Sequence, residues 1–169
     1  KGSRILDVGC GIGGSSRILA KYYGFNVTGV TISPAQVKRA RELTPSGLNC
    51  NFQVMDALDL KFEDGSFDAV WSVEAGAHMN DKNKFADELL RTLRPGGYLA
   101  LADWNSRDLR KHPPSFFEKL VLKQLLEQWV HPQFISISEF NYILRTNKNS
   151  AGKVISGNWN IYTNPSWYD

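Results

Sequence analysis

The stretch ILDVGCGIGGSS, residues 5–16, decides the fold of this chain. A short apolar run ends in an acid, Asp7, and glycines then alternate at Gly9, Gly11 and Gly13 before a segment with helical character. This order predicts a strand, a tight turn and the start of a helix. Glycines in such a turn let the backbone touch a ligand, because no Cβ atom stands in the way.

Two ligand templates fit these glycines. Gly9, Gly11 and Gly14 satisfy G-x-G-x-x-G, the dinucleotide fingerprint, whereas Gly9, Gly11 and Gly13 satisfy G-x-G-x-G behind an acid. A pyrophosphate binds to the N–H groups of a helix start, and the carboxylate of Asp7 would repel it. The sulfonium and ammonium groups of S-adenosylmethionine (SAM) suit that acid better, so the loop favours SAM.

The residues at the end of the second predicted strand also distinguish a dinucleotide site from a SAM site. In a nicotinamide site, an acid about 20 residues further on binds the ribose. Here the strand ends in Thr31, with Ser33 following, and no acid is present. The alternative is a glycine turn that binds no ligand. It is disfavoured because closely spaced glycines lower the stability of a fold, and without a ligand nothing requires them.

Composition narrows the class of protein. The chain has 169 residues, 20 basic and 17 acidic, and its net charge of +3 without a long basic run leads us to expect no nucleic-acid partner. Cys10 and Cys50 give neither a disulfide framework nor a metal pattern, which favours an intracellular setting. The chain begins at Lys1, just before a core strand, so we expect it to be incomplete at both ends.

Strand and helix patterns alternate along the chain, which predicts an α/β fold with a largely parallel sheet covered by helices on both faces. Ser33 is a good N-cap for a helix, and Gln36 completes a capping box with it. Residues 146–150 read as a loop. The predicted strands are 4–8, 26–31, 51–55, 67–72 and 98–103, with a last one at 153–159, and the helices are 13–23, one from 33, 82–93 and 115–129.

Polar residues follow the predicted strands at their carboxyl ends, where open α/β sheets bind ligands. We therefore expect one rim of the sheet to carry the site. The residues delivered to that rim are Asp7, Thr31, Asp56, Ala57, Ser72, Val73, Glu74, His78, Asp103 and Trp104.

The chain resembles the class I SAM-dependent methyltransferases, which have a Rossmann-like fold. The resemblance covers nearly the whole chain and is carried by DVGCGIGGSS, MDA, FEDGSFDAVWSVEAGAHM and LRPGGYLALADW. Within that superfamily, GIGGSSR, VTISPAQ, WSVEAGAHM and ADWNSRD are similar to the methyltransferases of the tocopherol and plastoquinone pathway. The resemblance implies one domain over residues 1–169, with a cofactor-binding core at about 1–104 and a partial substrate or lid region at about 105–169.

The resemblance also implies which residues bind the methionine part of the cofactor. Gly9, Gly11 and Gly13 would pass under it, and Asp7 would hold its amino end through the loop. The alternative for Asp7 is a hydrogen-bond acceptor that orients the helix.

The ribose and adenine contacts follow from later motifs. Thr31, where many relatives have an acid, and Gln36 would bind the ribose, although the capping box explains Gln36 equally well. Asp56 would accept a hydrogen bond from the adenine amine beside the N–H of Ala57, unless it only ends a strand in a turn. Val73 is also assigned to the cofactor site.

Glu74 and His78 are the candidates for a catalytic base. A hydroquinone ring carbon is a weak nucleophile, and removal of the phenolic proton activates it. If Glu74 starts a helical turn, the spacing of four places both side chains on one face. The alternative is that Glu74 orients the cofactor or the loop and His78 is an ordinary loop residue. No pair of acids suggests a Mg²⁺ mechanism, so we expect no metal.

The predicted helix 115–129 carries a broad apolar stripe that includes Phe116 and Phe117. It either forms core or packs under a missing lid, or it is a wall of an apolar substrate channel or a membrane-facing surface. Trp104, Trp159 and Trp167 would line the same space, with Trp104 assigned to substrate.

The expected acceptor is a prenylated hydroquinone, methylated on a ring carbon. A membrane-resident acceptor leads us to expect peripheral contact with a photosynthetic or inner membrane. The alternatives are gamma-tocopherol, a sterol or a small phenol as acceptor, a nicotinamide-dependent oxidoreductase, and a SAM-binding module without catalysis. The sequence yields no expectation for the oligomeric state.

Overall fold

Five parallel strands form one sheet in a computed structural model that describes residues 2–128 and 132–151. The strands are β1 (Arg4–Val8), β2 (Asn26–Thr31), β3 (Cys50–Val54), β4 (Phe67–Val73) and β5 (Leu93–Ala102). The helices are α1 (Gly14–Tyr23), α2 (Pro34–Glu42), α3 (Lys82–Thr92), α4 (Phe116–Gln128), α5 (Ile137–Thr146) and α6 (Lys148–Ala151), with a single 3₁₀ turn at Gly76–His78. The predicted α/β class is confirmed.

The order of the strands is β3-β2-β1-β4-β5. The chain moves outward from β1 to β3 and then crosses back to place β4 on the other side of β1. Ligands of open α/β sheets bind at the carboxyl ends of the strands where this direction reverses. The glycine loop after β1 and the loop after β4 therefore meet at the switch point.

Alternation along β1 divides the core between the two faces of the sheet. Leu6 and Val8 pack with Phe85 and Leu89 of α3 on one face, where the spacing of four places both α3 side chains on the same side of the helix. On the other face, Ile5 packs with Ala20 of α1. Asp7 projects to that second face, towards the first turn of α1.

Five strand boundaries differ from the prediction. Four of them, the two ends of β3 and the carboxyl ends of β4 and β5, differ by a single residue. The fifth is the start of β5. β5 begins at Leu93, because Phe67 pairs with Leu93 and Ala69 pairs with Tyr98, so that residues 94–97 bulge out between the two pairs. In the sequence, the glycines of this bulge indicate the end of a helix. That they also form a bulge in β5 depends on the pairing with β4, which the local sequence does not show.

The expectation of a loop at 146–150 is wrong, because α5 ends at Thr146 and α6 begins at Lys148. Leu144 is buried against Ala86 and Leu90 of α3, and the Lys148 ammonium lies 3.6 Å from the Asp87 carboxylate. These contacts with α3 order a segment whose composition favours a loop. The strand expected at 153–159, together with Trp129, Trp159 and Trp167, lies outside the described residues.

Candidate active site

All three predicted loop glycines adopt a left-handed backbone. Gly9 has a φ of 78°, Gly11 of 55° and Gly13 of 77°. In this region the backbone conformation costs a residue with a Cβ atom about 1–2 kcal/mol of conformational free energy, and glycine has no such cost. Gly14, in contrast, is the first residue of α1, and a Cβ atom there would meet nothing within 4 Å. The third glycine of the dinucleotide fingerprint allows close packing of helix and strand, and Gly14 has no such close neighbour, so the loop fits G-x-G-x-G better.

The loop is closely supported on its two sides and open in the middle. A Cβ atom on Gly9 would collide with the Cβ atom of Ala75, and one on Gly13 would lie 2.5 Å from the Phe52 ring. A Cβ atom on Gly11 would meet nothing within 4 Å. The backbone at Gly11 is thus accessible to a ligand, as a cofactor cradle requires.

Asp7 lies buried beneath this loop. Its carboxylate accepts hydrogen bonds from the hydroxyls of Ser16, at 2.5 Å, and Ser15, at 2.8 Å, in the first turn of α1. Burial raises the pKa of Asp7, and these hydroxyl bonds oppose the rise. An acid under the loop attracts a cationic ligand and repels a pyrophosphate. The geometry fits both interpretations of Asp7, because it orients the helix and supports the loop at once.

Thr31 and Gln36 lie together at the end of β2. The Thr31 hydroxyl donates a hydrogen bond to the Gln36 side-chain oxygen at 2.6 Å. The capping box predicted for Gln36 forms only in part. The Gln36 N–H donates to the Ser33 hydroxyl at 3.3 Å, but the Ser33 N–H donates to the Thr31 hydroxyl at 3.4 Å instead of to the Gln36 side chain. The two predicted ribose contacts form a single polar pair, and their roles in binding stay predictions.

Asp56 and Ala57 follow β3, next to the end of β2. The Asp56 carboxylate accepts a hydrogen bond from the N–H of Leu58 at 2.8 Å, which forms the turn that the alternative interpretation required. Asp56 is nevertheless exposed, whereas Ala57 is buried. A carboxylate has two oxygens and several lone pairs, so the turn leaves capacity for a second donor such as an amine.

The loop after β4 begins in a strained conformation. Val73 ends the strand, and Glu74 adopts a left-handed φ of 54° while its N–H donates to the carbonyl of Ala102 at 2.8 Å. The 3₁₀ turn Gly76–His78 starts only two residues later. The expectation that Glu74 and His78 share one face of a helical turn is therefore wrong. Both residues are exposed on the same short loop, and their role as bases stays a prediction.

Hydrogen bonds between neighbouring strand ends hold this rim together. The N–H groups of Gly9 and Cys10 donate to the carbonyl of Val30 at 2.9 and 3.0 Å, which ties the glycine loop to β2. The buried hydroxyl of Ser72 donates to the carbonyl of Val8 at 2.9 Å, which ties β4 to β1. The structure thus places the predicted site residues along one continuous edge of the sheet.

Sequence reasoning missed the residues that support the site from behind. Phe52 and Ala75 pack against loop glycines, and Lys82 donates hydrogen bonds to the loop after β4. A phenylalanine or an alanine in an apolar run indicates only core, and a lysine at a helix start indicates only surface. Their contacts lie far along the chain, so no local pattern reveals them.

Two other chemistries receive no support at this rim. Burial, and secondarily the Asp7 charge, raises the pKa of Cys10 to about 12, so that its thiol stays protonated and unreactive. Within residues 2–128 and 132–151, no group of three or more His, Cys, Asp or Glu side chains is arranged to hold a metal ion.

Over the same residues, no helix has the length and apolar character needed to cross a bilayer.

A family model described as a methyltransferase domain matches residues 6–101. The chain is 60% identical over 168 residues to the 2-methyl-6-phytyl-1,4-hydroquinone methyltransferase of Synechocystis, covering 99% of this chain and 53% of that protein. It is 38% identical to the chloroplastic tocopherol O-methyltransferase of Arabidopsis thaliana, covering 97% and 48%. The chain thus spans about half the length of these relatives.

The fold is also similar to that of a solved structure with bound cofactor. Phosphoethanolamine N-methyltransferase 2 of Haemonchus contortus, in complex with SAM, has a TM-score of 0.75 and 27% identity, over 88% of this chain and 33% of that one.

Proposed function

We propose that this chain, which belongs to the SAM-dependent methyltransferase family, is part of an enzyme that methylates a ring carbon of a prenylated hydroquinone. Membership of the family confirms the resemblance inferred from the sequence and makes SAM the cofactor. The acceptor is proposed because the chain is so similar to a hydroquinone methyltransferase. The structural observation that supports the proposal is the open glycine cradle over a buried acid, beside an exposed loop with two candidate bases.

We assign the cofactor to the rim from β3 to β4. Gly9, Gly11 and Gly13 pass beneath the methionine part, and Asp7 stabilises its ammonium group through the loop. SAM supplies a methyl group that is already activated by its sulfonium. The open space at Gly11 is the observation that fits a ligand in this place.

The remaining cofactor contacts follow along the same edge. Thr31 and Gln36 bind the ribose, as a pair whose hydrogen bond leaves the exposed Gln36 amide available. Asp56 accepts the adenine amine, with the Ala57 N–H beside it, and Val73 lines the site at the end of β4.

The chain's own chemical task is to hold the acceptor and to move a proton. Glu74 or His78 accepts the proton of the quinol hydroxyl, which pushes electron density onto the ring carbon that forms the new C–C bond. The bond between the methyl carbon and the sulfur of SAM would break as the C–C bond forms, with its electrons staying on the departing thioether. The ring carbon then loses its hydrogen as a proton, the protonated base returns its proton to the quinol oxygen, and the ring regains its aromaticity. A positioned base contributes typically about 10²- to 10⁴-fold to such a step.

We place the prenyl chain of the acceptor in the region after residue 104. Trp104 is 57% exposed at the end of β5, and no side chain of α4 is buried. A groove of about 430 Å³ runs along α4, with an apolar part formed by Leu109, Pro114, Leu122 and Leu126. The remaining lining is polar and comes from Lys119, Lys123, Glu127 and Gln133. The apolar part suits a long hydrocarbon tail, with the charged side chains at its border.

The acceptor preference is tested with the full-length protein and one labelled methyl donor. We expect label to enter a prenylated hydroquinone at least tenfold faster than gamma-tocopherol, a sterol or a small phenol, because both the quinol and the tail are recognised. Gamma-tocopherol is the second candidate, favoured by the similarity to a tocopherol methyltransferase. Preferential labelling of gamma-tocopherol would replace the proposed acceptor, and labelling of none would remove the catalytic proposal.

We also propose that the enzyme contacts a membrane surface peripherally, at a photosynthetic or inner membrane, since its acceptor resides in a bilayer. Phe116 and Phe117 at the start of α4 are 77% and 76% exposed and suit insertion at the interface. Replacing both with Ser removes about 1.5–3 kcal/mol per side chain of apolar burial.

The double Ser variant is therefore expected to co-sediment at least tenfold less with vesicles of equal parts phosphatidylglycerol and phosphatidylcholine. Tyr22→Ser is the matched control, because Tyr22 is equally exposed, at 71%, but lies on α1. Equal sedimentation of the wild type and the α4 variant would contradict membrane contact through this helix.

A further inference from the structure

One lysine donates three hydrogen bonds from its ammonium group to the loop that carries the proposed bases. Lys82 is the first residue of α3, after the N-cap Asp81. Its ammonium donates to the carbonyls of Gly76 at 2.7 Å, Ala77 at 3.0 Å and Met79 at 2.7 Å. An ammonium has three hydrogens, so all three are used within residues 76–79.

This placement is unfavourable for Lys82 itself. A cation at the N-terminus of a helix opposes the helix dipole, an effect of about 0.3–1 kcal/mol. Burial also lowers the pKa of Lys82, and the charge of Asp103 opposes that effect. Helix stability therefore does not explain a lysine here, whereas its bonds to the loop do.

Asp103 supports the same loop from the other strand. A Cβ atom on Gly76 would collide with the Asp103 carboxylate, which shows how closely the two pack. The carboxylate accepts hydrogen bonds from the N–H groups of Trp104, at 2.9 Å, and Ala77. Burial raises the pKa of Asp103, and these bonds together with the charges of Lys82 and His78 oppose the rise.

The loop requires such support because its conformation is strained at its start. Glu74 is a left-handed residue with a side chain, a conformation that costs about 1–3 kcal/mol and persists only where the surroundings enforce it. Ala75, the next residue, packs against Gly9 of the cofactor loop. Any shift of the loop therefore alters the distance between the candidate bases and the cofactor cradle.

We propose that Lys82 is a positioning residue that fixes the loop of residues 74–79, and with it the proposed bases, against the glycine cradle. The catalytic part of this inference rests on the proposed function, and the structural part does not. Lys82 itself touches no reacting atom. It acts through the carbonyls of the turn Gly76–His78 and of Met79.

The test compares Lys82→Met with Lys84→Met in the full-length protein. Methionine keeps the length of the side chain but removes the ammonium. Lys84 is an exposed lysine of the same helix, whose backbone N–H donates to the Asp81 carboxylate at 2.9 Å. Its ammonium contributes to the positive charge near Asp59, away from the loop of residues 74–79. Lys82→Gln, which retains two N–H donors, is the milder second variant should Lys82→Met fold poorly.

Two measurements decide the outcome. We expect Lys82→Met to lower kcat about 10- to 100-fold, since a misplacement of 1 Å can cost about 10²-fold, while the KM for SAM changes less than twofold. We also expect faster hydrogen exchange of the His78 and Met79 amides, which are bonded to Ala75 and Gly76 at 3.1 and 3.0 Å. Lys84→Met leaves both measurements at the wild-type values.

The two proposals fail in different ways. If the wild type methylates no acceptor, the proposed function fails, and the exchange rates alone decide whether Lys82 fixes the loop. Unchanged exchange in Lys82→Met and Lys82→Gln overturns the inference. Faster exchange with an unchanged kcat in an active enzyme overturns its catalytic part.

Discussion

The double variant Glu74→Gln, His78→Asn is expected to methylate a prenylated hydroquinone about 10²- to 10⁴-fold more slowly than the wild type. Glu74→Gln preserves the size of the side chain, His78→Asn keeps a smaller polar group at the same place, and neither amide can take a proton. The quinol hydroxyl then keeps its proton, and the ring carbon stays a weak nucleophile. The affinity for SAM is expected to change little, because the glycine cradle and Asp7 are untouched.

Single variants and a control assign the effect to one residue. The residue that acts as the base accounts for most of the loss on its own, and the other single variant stays near the wild type. Glu63→Gln makes the same chemical change at an exposed carboxylate between β3 and β4, outside the site, and leaves turnover unchanged. An unchanged rate in the double variant, measured at saturating SAM, would remove the base from the mechanism.

The second large effect concerns two adjacent glycines with different geometry. Gly13→Ala places a Cβ atom 2.5 Å from the Phe52 ring in a residue with a φ of 77°. The strained backbone and the overlap together lower the free energy of unfolding by about 2–5 kcal/mol. The loop must move to relieve the overlap, so the affinity for SAM falls more than about tenfold.

Gly14→Ala is expected to act in the opposite direction. Gly14 is helical, and a Cβ atom there meets nothing within 4 Å. Alanine in place of a helical glycine raises the free energy of unfolding by about 0.4–1 kcal/mol. Affinity for SAM stays at the wild-type value.

Chemical denaturation and calorimetric titration of SAM measure both effects in the full-length protein, with NAD titrated in parallel. A dinucleotide site requires a glycine at position 14 for close approach of helix and strand. Equal losses in the two variants, or binding of NAD in place of SAM, would contradict the G-x-G-x-G interpretation of the loop.

The features predicted correctly are those set by local sequence. The glycine loop and the Ser33 cap of α2 each depend on residues within one or two turns of chain. Parallel strands alternating with helices then determine which ends of the strands share an edge. The sequence alone therefore places the candidate site residues at one rim.

The features that sequence did not reveal depend on contacts between distant parts of the chain. One exception is local, because the bond from Thr31 to Gln36 spans only five residues between the end of β2 and the first turn of α2. The left-handed backbone of Glu74 is enforced by the carbonyl of Ala102 and by the loop beyond it. Composition alone gives no sign that Lys82, on the surface-like start of a helix, turns inward.

The region that would bind the methyl acceptor is the part of the molecule that the sequence pattern determines least. Apolar residues on α4 have the same spacing whether they form core, line a channel or meet a membrane. No side chain of α4 is buried among the described residues, and the chain spans about half the length of its relatives. The exposure of α4 therefore does not separate these alternatives, and assays of the full-length protein decide between them.

The central claim is that this rim directs a methyl group from SAM to a ring carbon of a prenylated hydroquinone. The most direct measurement supplies the full-length protein with SAM labelled with ¹³C at the methyl group and follows the product by NMR. The account predicts one new methyl carbon attached to the aromatic ring, at the chemical shift of an aryl methyl group. A methoxyl signal, or label that stays with SAM while the acceptor is present, would contradict it.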